Sequence, residues 1–196
     1  RQLGVQDGNR AQTEVFLADR LENGAGYATW LGQASSLELL LAEGEALVAK
    51  FAEAEHSCDS SCPDCLRDFT NLIFHPLLDW RLGRDLFRLL IDGELETDQW
   101  AAAEHQAASA FALAFDATEV ELGGGVRVIH AHDRALIVHH PLERATTSDY
   151  ADLTNRLSDA VVDVEALVSD SSKVMFASPF DLDRRPGAIA ARFEAL

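Results

Sequence analysis

Lysine is nearly missing from this chain. Of 196 residues only Lys50 and Lys173 are lysines, and 16 basic side chains stand against 33 acidic ones, for a formal charge of −17. A surface so acidic repels phosphate backbones, which excludes tight duplex DNA binding by this chain acting alone. Long apolar runs are missing as well: no stretch reaches 18 consecutive apolar residues, so no membrane span is expected. The chain opens at Arg1 with no apolar signal-peptide core behind it. A start without methionine leads us to expect a piece of a longer polypeptide. Cysteine is scarce and odd in number, three in all, which does not make a secreted disulfide framework. Thiols without a pairing scheme point to the reducing cytoplasm. No G-x-x-x-x-G-K-[ST] phosphate loop and no Walker-B-like acidic strand occurs, so this chain is not expected to hydrolyse ATP. What remains is ordinary globular composition, 47% apolar and 25% charged, in a chain long enough for one good core or two small ones.

The three cysteines lie within eight positions of one another, in His56-Ser57-Cys58-Asp59-Ser60-Ser61-Cys62-Pro63-Asp64-Cys65. A Cys-x-x-Cys pair offers two thiolates to one metal from a tight turn, and Cys58 supplies a third. Structural zinc takes four soft or borderline ligands in a tetrahedron. No cysteine is left, so the fourth must be a histidine, and both His56 and His75 flank the loop. We expect residues 56–65 to wrap one structural zinc ion and staple two helices together. A Cys62–Cys65 disulfide would leave Cys58 over. A thioredoxin-type redox pair needs a strand-to-helix junction, whereas a helix precedes the cluster here. A deaminase-type catalytic zinc needs His-x-Glu ahead of Pro-Cys-x-x-Cys; here Pro63 sits inside the pair and no His-x-Glu occurs. No catalytic residue is assigned.

Along the chain, residues 13–18 read as a short strand and Asn23-Gly24 as a turn that leads to a helix start at Gly26 and Tyr27. Ser35-Ser36-Leu37-Glu38 has capping-box spacing, and the helix it opens carries an apolar stripe of Leu37, Leu40, Leu41, Leu47, Val48 and Phe51. Beyond the cysteines, Pro76 is placed as the first residue of a helix running to residue 91. Its apolar face would be Leu77, Leu78, Leu82, Leu86, Leu89 and Leu90, with Arg81, Arg84 and Arg88 recurring opposite. That arginine row is the one concentrated positive feature, either a solvated face or a contact to nucleic acid or an acidic partner. Gly93 and the polar segment 94–98 break the pattern, which divides the chain into 1–93 and 94–196.

The second half predicts a helix from Trp100 to Phe115, anchored by Trp100, Ala107, Phe111 and Phe115. Strands follow over Thr118–Leu122, Val126–His132 and Ala135–His140, the last two a hairpin turning at Asp133-Arg134. A helix over 149–168 would bury Leu153, Leu157, Val161, Val164 and Leu167, before a strand over Lys173–Ala177 and a terminal helix over Gly187–Phe193. His130, His132, His139 and His140 cluster on the hairpin, where residues two apart share a face and could converge on a metal. Glu119-x-Glu121 on a strand has the acidic character of a restriction-type nuclease core, but neither lysine lies near it.

The ordered motifs carry a resemblance. Asp19-x-x-x-Asn23-Gly24-Ala25-Gly26-Tyr27-Ala28, a long helix, the cysteine cluster ending in Cys-x-x-Cys, then Asn71 and Leu77-Leu78-Asp79 resemble the MrfA-type zinc-binding domain over residues 13–91. That module closes the C-terminus of many bacterial superfamily 2 DNA helicases and occurs in antiphage systems of the DISARM type. The family presents C-x-C…C-x-x-C, and this chain has His56 where the first cysteine is expected. The resemblance therefore implies His56, Cys58, Cys62 and Cys65 as zinc ligands, with His75 in reserve. It also implies a helicase motor, upstream in a longer parent or on a partner subunit, and DNA as a partner only within that assembly. The fold class expected is α/β (α+β): a helical zinc-binding module with a short strand over 1–93, then a small α/β half with a β-hairpin over 94–196, to which no motif gives a role.

Overall fold

A computed structural model of the chain describes residues 5–7, 10–12, 26–53, 56, 58–93, 95–145 and 153–196. The strand expected over 13–18 and the turn at Asn23-Gly24 lie outside the described residues. The chain packs into two compact units, Arg1–Gly93 and Glu94–Leu196, and each is taken by itself. Together they are mixed α/β, with a four-stranded mixed sheet in the second unit.

In the first unit, β1 (Val5–Asp7) and β2 (Arg10–Gln12) form an antiparallel pair in which Val5 faces Gln12. Helix α1 (Tyr27–Leu31) stops at Gly32, and α2 (Ala34–Ala49) begins almost at once. The capping box expected at Ser35 does not form. Gln33 is the N-cap, its carbonyl accepts from the Ser36 and Leu37 amides, and Ser36 is buried within the first turn. The tight α1–α2 connection sets the entry angle before a serine can cap. Helix α3 (Trp80–Asp92) also starts later than expected. Pro76 instead lies within a 3-10 segment, Phe69–Leu77, because Asp79 outcompetes it as a start signal. The Asp79 carboxylate caps the Arg81 amide at 2.9 Å and is buried.

Helices α2 and α3 pack against each other. The Phe87 ring lies on Gly44 so closely that a Cβ there would fall 2.4 Å from its Cζ, and Val48 is buried facing Gly83. Leu37 and Leu47 of the expected stripe are exposed, as are Leu86 and Leu90 of α3.

The second unit is a three-layer sandwich. Helix α4 (Ala101–Ala114) precedes an antiparallel meander of β3 (Thr118–Glu121), β4 (Arg127–Ala131) and β5 (Arg134–Val138). A crossover through α5 (Asn155–Val164) returns the chain as β6 (Val174–Ala177), parallel to β5 and followed by α6 (Pro179–Arg184) and α7 (Pro186–Glu194). The sheet order is β3-β4-β5-β6. The hairpin turns at His132 and Asp133, one residue before the expected place, since Ala131 pairs with Arg134. At the β3–β4 turn, Gly124 and Gly125 both hold positive φ, near 70° and 73°, which β-carbon-bearing residues adopt at a cost.

Side-chain alternation splits the interior in two. Ile129, Leu136, Val138, Met175 and Ala177 pack against α4, α6 and α7, with Phe111, Leu182 and Phe193 as the large contributors. Val128, Ala135, Ile137, Val174 and Phe176 face the other way, onto Leu157, Val161 and Val164 of α5. A strand buried on both faces reads as an unbroken apolar run, as Ala135-Leu136-Ile137-Val138 does. Leu167, expected in this core, lies beyond the end of α5 and is exposed.

One polar layer interrupts the second unit. Trp100 and His140 are fully buried and meet edge to face at 5.1 Å. Glu143 accepts from the His140 amide at 2.9 Å, from Arg156 Nη2 at 2.7 Å and from the Thr154 hydroxyl at 2.9 Å, so its carboxyl titrates below the usual range despite burial. Glu104 is only 1% exposed and its Oε1 meets no hydrogen-bond partner among the described residues. Burial pushes its pKa up to about 7; Arg156 pulls against that and the Glu143 charge adds to it.

Two outcomes follow from this packing. Gly44→Ala should destabilise the first unit by about 1–3 kcal/mol, because the Phe87 ring must leave its seat; unchanged denaturant midpoint would show that α2 and α3 do not touch there. Glu104 binds its proton more tightly folded than unfolded, so stability falls as pH rises from its ordinary value of 4.5 to about 7 and then levels off. Glu104→Gln should therefore stabilise the second unit by about 1–3 kcal/mol at pH 8, with the gain vanishing toward pH 4 in urea titrations.

Candidate metal centre

The cluster is built by three elements. Helix α2 runs into a 3-10 turn, Lys50–Ala52, which delivers His56. The Cys62–Cys65 turn closes on itself, with the Cys65 and Arg67 amides both donating to the Cys62 carbonyl, at 3.1 and 3.0 Å. The start of α3 then pins the loop from below: the Trp80 amide donates to the Ser60 carbonyl at 2.8 Å and its indole Nε1 to the Cys58 carbonyl at 3.0 Å.

The geometry brings His56, Cys58, Cys62 and Cys65 together, with one donor atom from each lying within 4.8 Å of all the others. His56 Nε2 is 3.3 Å from both Cys58 Sγ and Cys62 Sγ, and Cys58 Sγ is 3.7 Å from Cys65 Sγ. Tetrahedral zinc with Zn–S near 2.3 Å and Zn–N near 2.0–2.1 Å would separate its donors by about 3.8 Å (S to S) and about 3.6 Å (N to S). Those three separations lie within a few tenths of an ångström of these values. His56 Nδ1 lies 2.8 Å from the Phe51 carbonyl, and a carbonyl only accepts, so Nδ1 carries a proton. In the neutral ring this leaves the Nε2 lone pair facing the sulfurs, the arrangement by which outer contacts orient a ligating histidine. The Cys62 amide donates to Cys65 Sγ at 3.1 Å, as thiolates require.

Protonation bears on the same point. Without a cation, Cys58 and Cys62 are pushed in opposite directions. Burial, reinforced by hydrogen bonds with Cys65 and Cys62, pushes Cys58 up to about 12, while the contact with His56 draws Cys62 down to about 7. His56 is raised, first by the Phe51 carbonyl and then by Cys62. A divalent ion at the centre reverses this balance and ionises the thiols. The residues can hold a metal ion. A solvent-open cleft of about 580 Å³ reaches His56, Cys58 and Cys62 from one side, with Lys50, Glu53 and Asp64 on its walls.

The other candidates fall elsewhere. His75 is spent on structure, its Nε2–H donating to Asn71 Oδ1 at 2.9 Å and to the Asp68 carbonyl at 3.1 Å. Arg81 forms a two-point pair with Asp79, at 3.0 and 2.7 Å. Arg88 approaches Glu45 at 3.8 Å, and the Arg84 guanidinium lies 5.6 Å from the Trp80 ring centroid. The arginine row is thus half-buried and occupied in holding α3 in place. Nor do the hairpin histidines converge: His132 sits in the turn with φ 55°, His140 is buried on Trp100, and His139 Nδ1–H donates to the His140 carbonyl. Among the described residues, no other group of three or more histidine, cysteine or acidic side chains closes on one point. Glu119 and Glu121 are bridged by Arg127, at 3.4 and 2.6 Å, and Glu119 also binds His105 and Ser109. An acidic pair neutralised in this way is not poised for a catalytic cation.

Sequence reading missed Trp80 and the Phe51 carbonyl. The signal for Trp80 was available: an aspartate helix cap followed at once by an aromatic places that ring beside whatever precedes the helix. A backbone carbonyl leaves no such trace.

No family model and no solved structure matches the chain. Over 80 residues it is 38% identical to Druantia protein DruE of Escherichia coli (strain UMEA 4076-1), a match that covers 41% of this chain and 4% of that protein. The matched part is thus a small fraction of that relative's length. Among the described residues, no helix is long and apolar enough to cross a membrane.

The two histidines separate cleanly in a metal assay. His56→Ala should lower bound metal per chain at least tenfold after dialysis against a weak chelator, whereas His75→Ala should leave it unchanged and cost only the hydrogen bonds around Asn71. The reverse pattern, read by elemental analysis, would hand the fourth position to His75.

Proposed function

We propose that this chain is a zinc-stapled, non-catalytic module of an ATP-dependent DNA helicase or antiphage defence assembly, in which it braces the motor and helps form the DNA channel. The observation that carries this reading is the closed donor set. Three thiolates and one imidazole suit zinc, and four protein ligands leave no coordination position for a substrate. Zinc there supplies folding energy, about 10–16 kcal/mol of apparent binding free energy in small structural sites. His56 and the three cysteines hold the ion, Phe51 and Trp80 fix the loop, and the ion in turn fixes the junction between α2 and α3.

Two further observations support the assignment. The motif order resembles the MrfA-type zinc-binding domain, and the identity with Druantia protein DruE favours the defence branch. The motor, the DNA contact and the cytoplasmic setting belong to this reading, as does the division at residue 93 into two separately folding domains. In it, Arg81, Arg84 and Arg88 meet DNA only within the assembly, through whatever part of each guanidinium is left over from Asp79, Glu45 and Trp80.

Zinc removal tests the proposal. Stripping the ion with a strong chelator should abolish amide-exchange protection over residues 26–93 while leaving 95–196 protected. Equal protection with and without metal would defeat the structural role. For the channel, Arg84→Gln with Arg88→Gln should weaken DNA binding by the assembled complex several-fold and flatten its salt dependence. Unchanged affinity would remove the channel and leave the brace.

A further inference from the structure

We propose that the Phe69–Leu77 segment is a docking plug, which seats in an apolar groove with a basic rim on a second protein; on the reading above, that protein is the helicase motor. The segment is nine residues of 3-10 turn interrupted by a kink at Asn71, whose φ is −117° and ψ 19°. Phe69 is 85% and Ile73 81% exposed, and Leu72, Phe74 and Leu77 are each more than half exposed. Five large apolar side chains within nine residues thus face solvent on either side of the kink, and a concentrated apolar patch of this kind marks an interaction site.

This is not a slack loop that happens to be greasy. Asp68 caps the segment through the Thr70 amide at 2.8 Å, and its own amide donates to Asn71 Oδ1 at 2.8 Å. Asn71 Nδ2 donates to the Leu66 carbonyl at 2.9 Å, and His75 closes back on Asn71. The metal loop precedes it and the Asp79 cap of α3 follows. A segment held so firmly pays little ordering cost on association.

Charge selects the occupant. No lysine or arginine occurs between Asp68 and Leu78, and the whole chain carries −17. Nucleic acid and anionic lipid surfaces are repelled, and interfacial membrane segments carry the lysines and arginines this one lacks. A second copy brings another −17 to the same contact. A basic-rimmed protein groove meets both demands at once: apolar side chains in its floor, and Asp64 and Asp68, both exposed, against its edge.

The test uses the full chain and, as probe, the helicase motor encoded in the same reading frame or operon, purified separately and titrated by calorimetry at 50 and 300 mM salt. Binding should weaken at the higher salt. Phe69→Ser with Ile73→Ser should weaken it at least a hundredfold, and Ile73→Ser alone at least tenfold, with zinc content and melting temperature unchanged. Variants that bind like the original chain would overturn the plug while leaving the zinc brace intact. A motor that binds neither would sink the brace and the plug together. A loss of melting temperature in Ile73→Ser would show the segment to be covered within this chain, and self-association abolished by the same change would make the occupant a second copy. Either result overturns the proposal.

Discussion

Three sulfurs and an imidazole nitrogen in the first unit lie within 4.8 Å of one another, between the end of α2 and the start of α3. Helices α2 and α3 meet where Gly44 and Val48 lie against Phe87 and Gly83, and the loop that joins them is tied to both. His56 is tied to the end of α2 through the Phe51 carbonyl, and the Cys58 and Ser60 carbonyls are tied to the start of α3 through Trp80. A cation at the centre would join those two attachments.

The second unit rests on a different principle. Its sheet is covered on both faces, and burial of aliphatic side chains from β4, β5 and β6 accounts for its coherence without any ion. Against that apolar background the Glu104 carboxyl stands out. Glu143 keeps its charge because three donors satisfy it, while Glu104, a short distance along the same polar layer, has no such shell and surrenders its proton late. Two residues of one chemistry behave oppositely because one is solvated by protein and the other is not.

What could be read in the sequence depended on whether the signal was local. The candidate donor cluster was legible because spacing constrains a chelating loop directly, and the fold brings His56 rather than His75 to the three sulfurs. The strands of the second unit were legible from apolar runs, including the doubly buried β5. The starts of α1, α4 and α7 were legible to within a residue, but those of α2 and α3 were not. Ser35 carried capping chemistry that the preceding turn made useless, and Pro76 was displaced by Asp79 three residues on. The leucine stripes misled for a related reason: periodicity marks what a helix could bury, whereas the number of neighbours decides what it does bury. The arginine row is the same lesson in charge, since Asp79, Glu45 and Trp80 engage it from positions that sequence spacing could not weigh together.

The order of the sheet leaves β3 at one margin, and that strand is only four residues, Thr118-Glu119-Val120-Glu121. A margin so brief, bearing two carboxylates, is a poor template for the unpaired backbone of another molecule. Crowded together, copies of this domain would find little along that rim on which to grow a shared ladder.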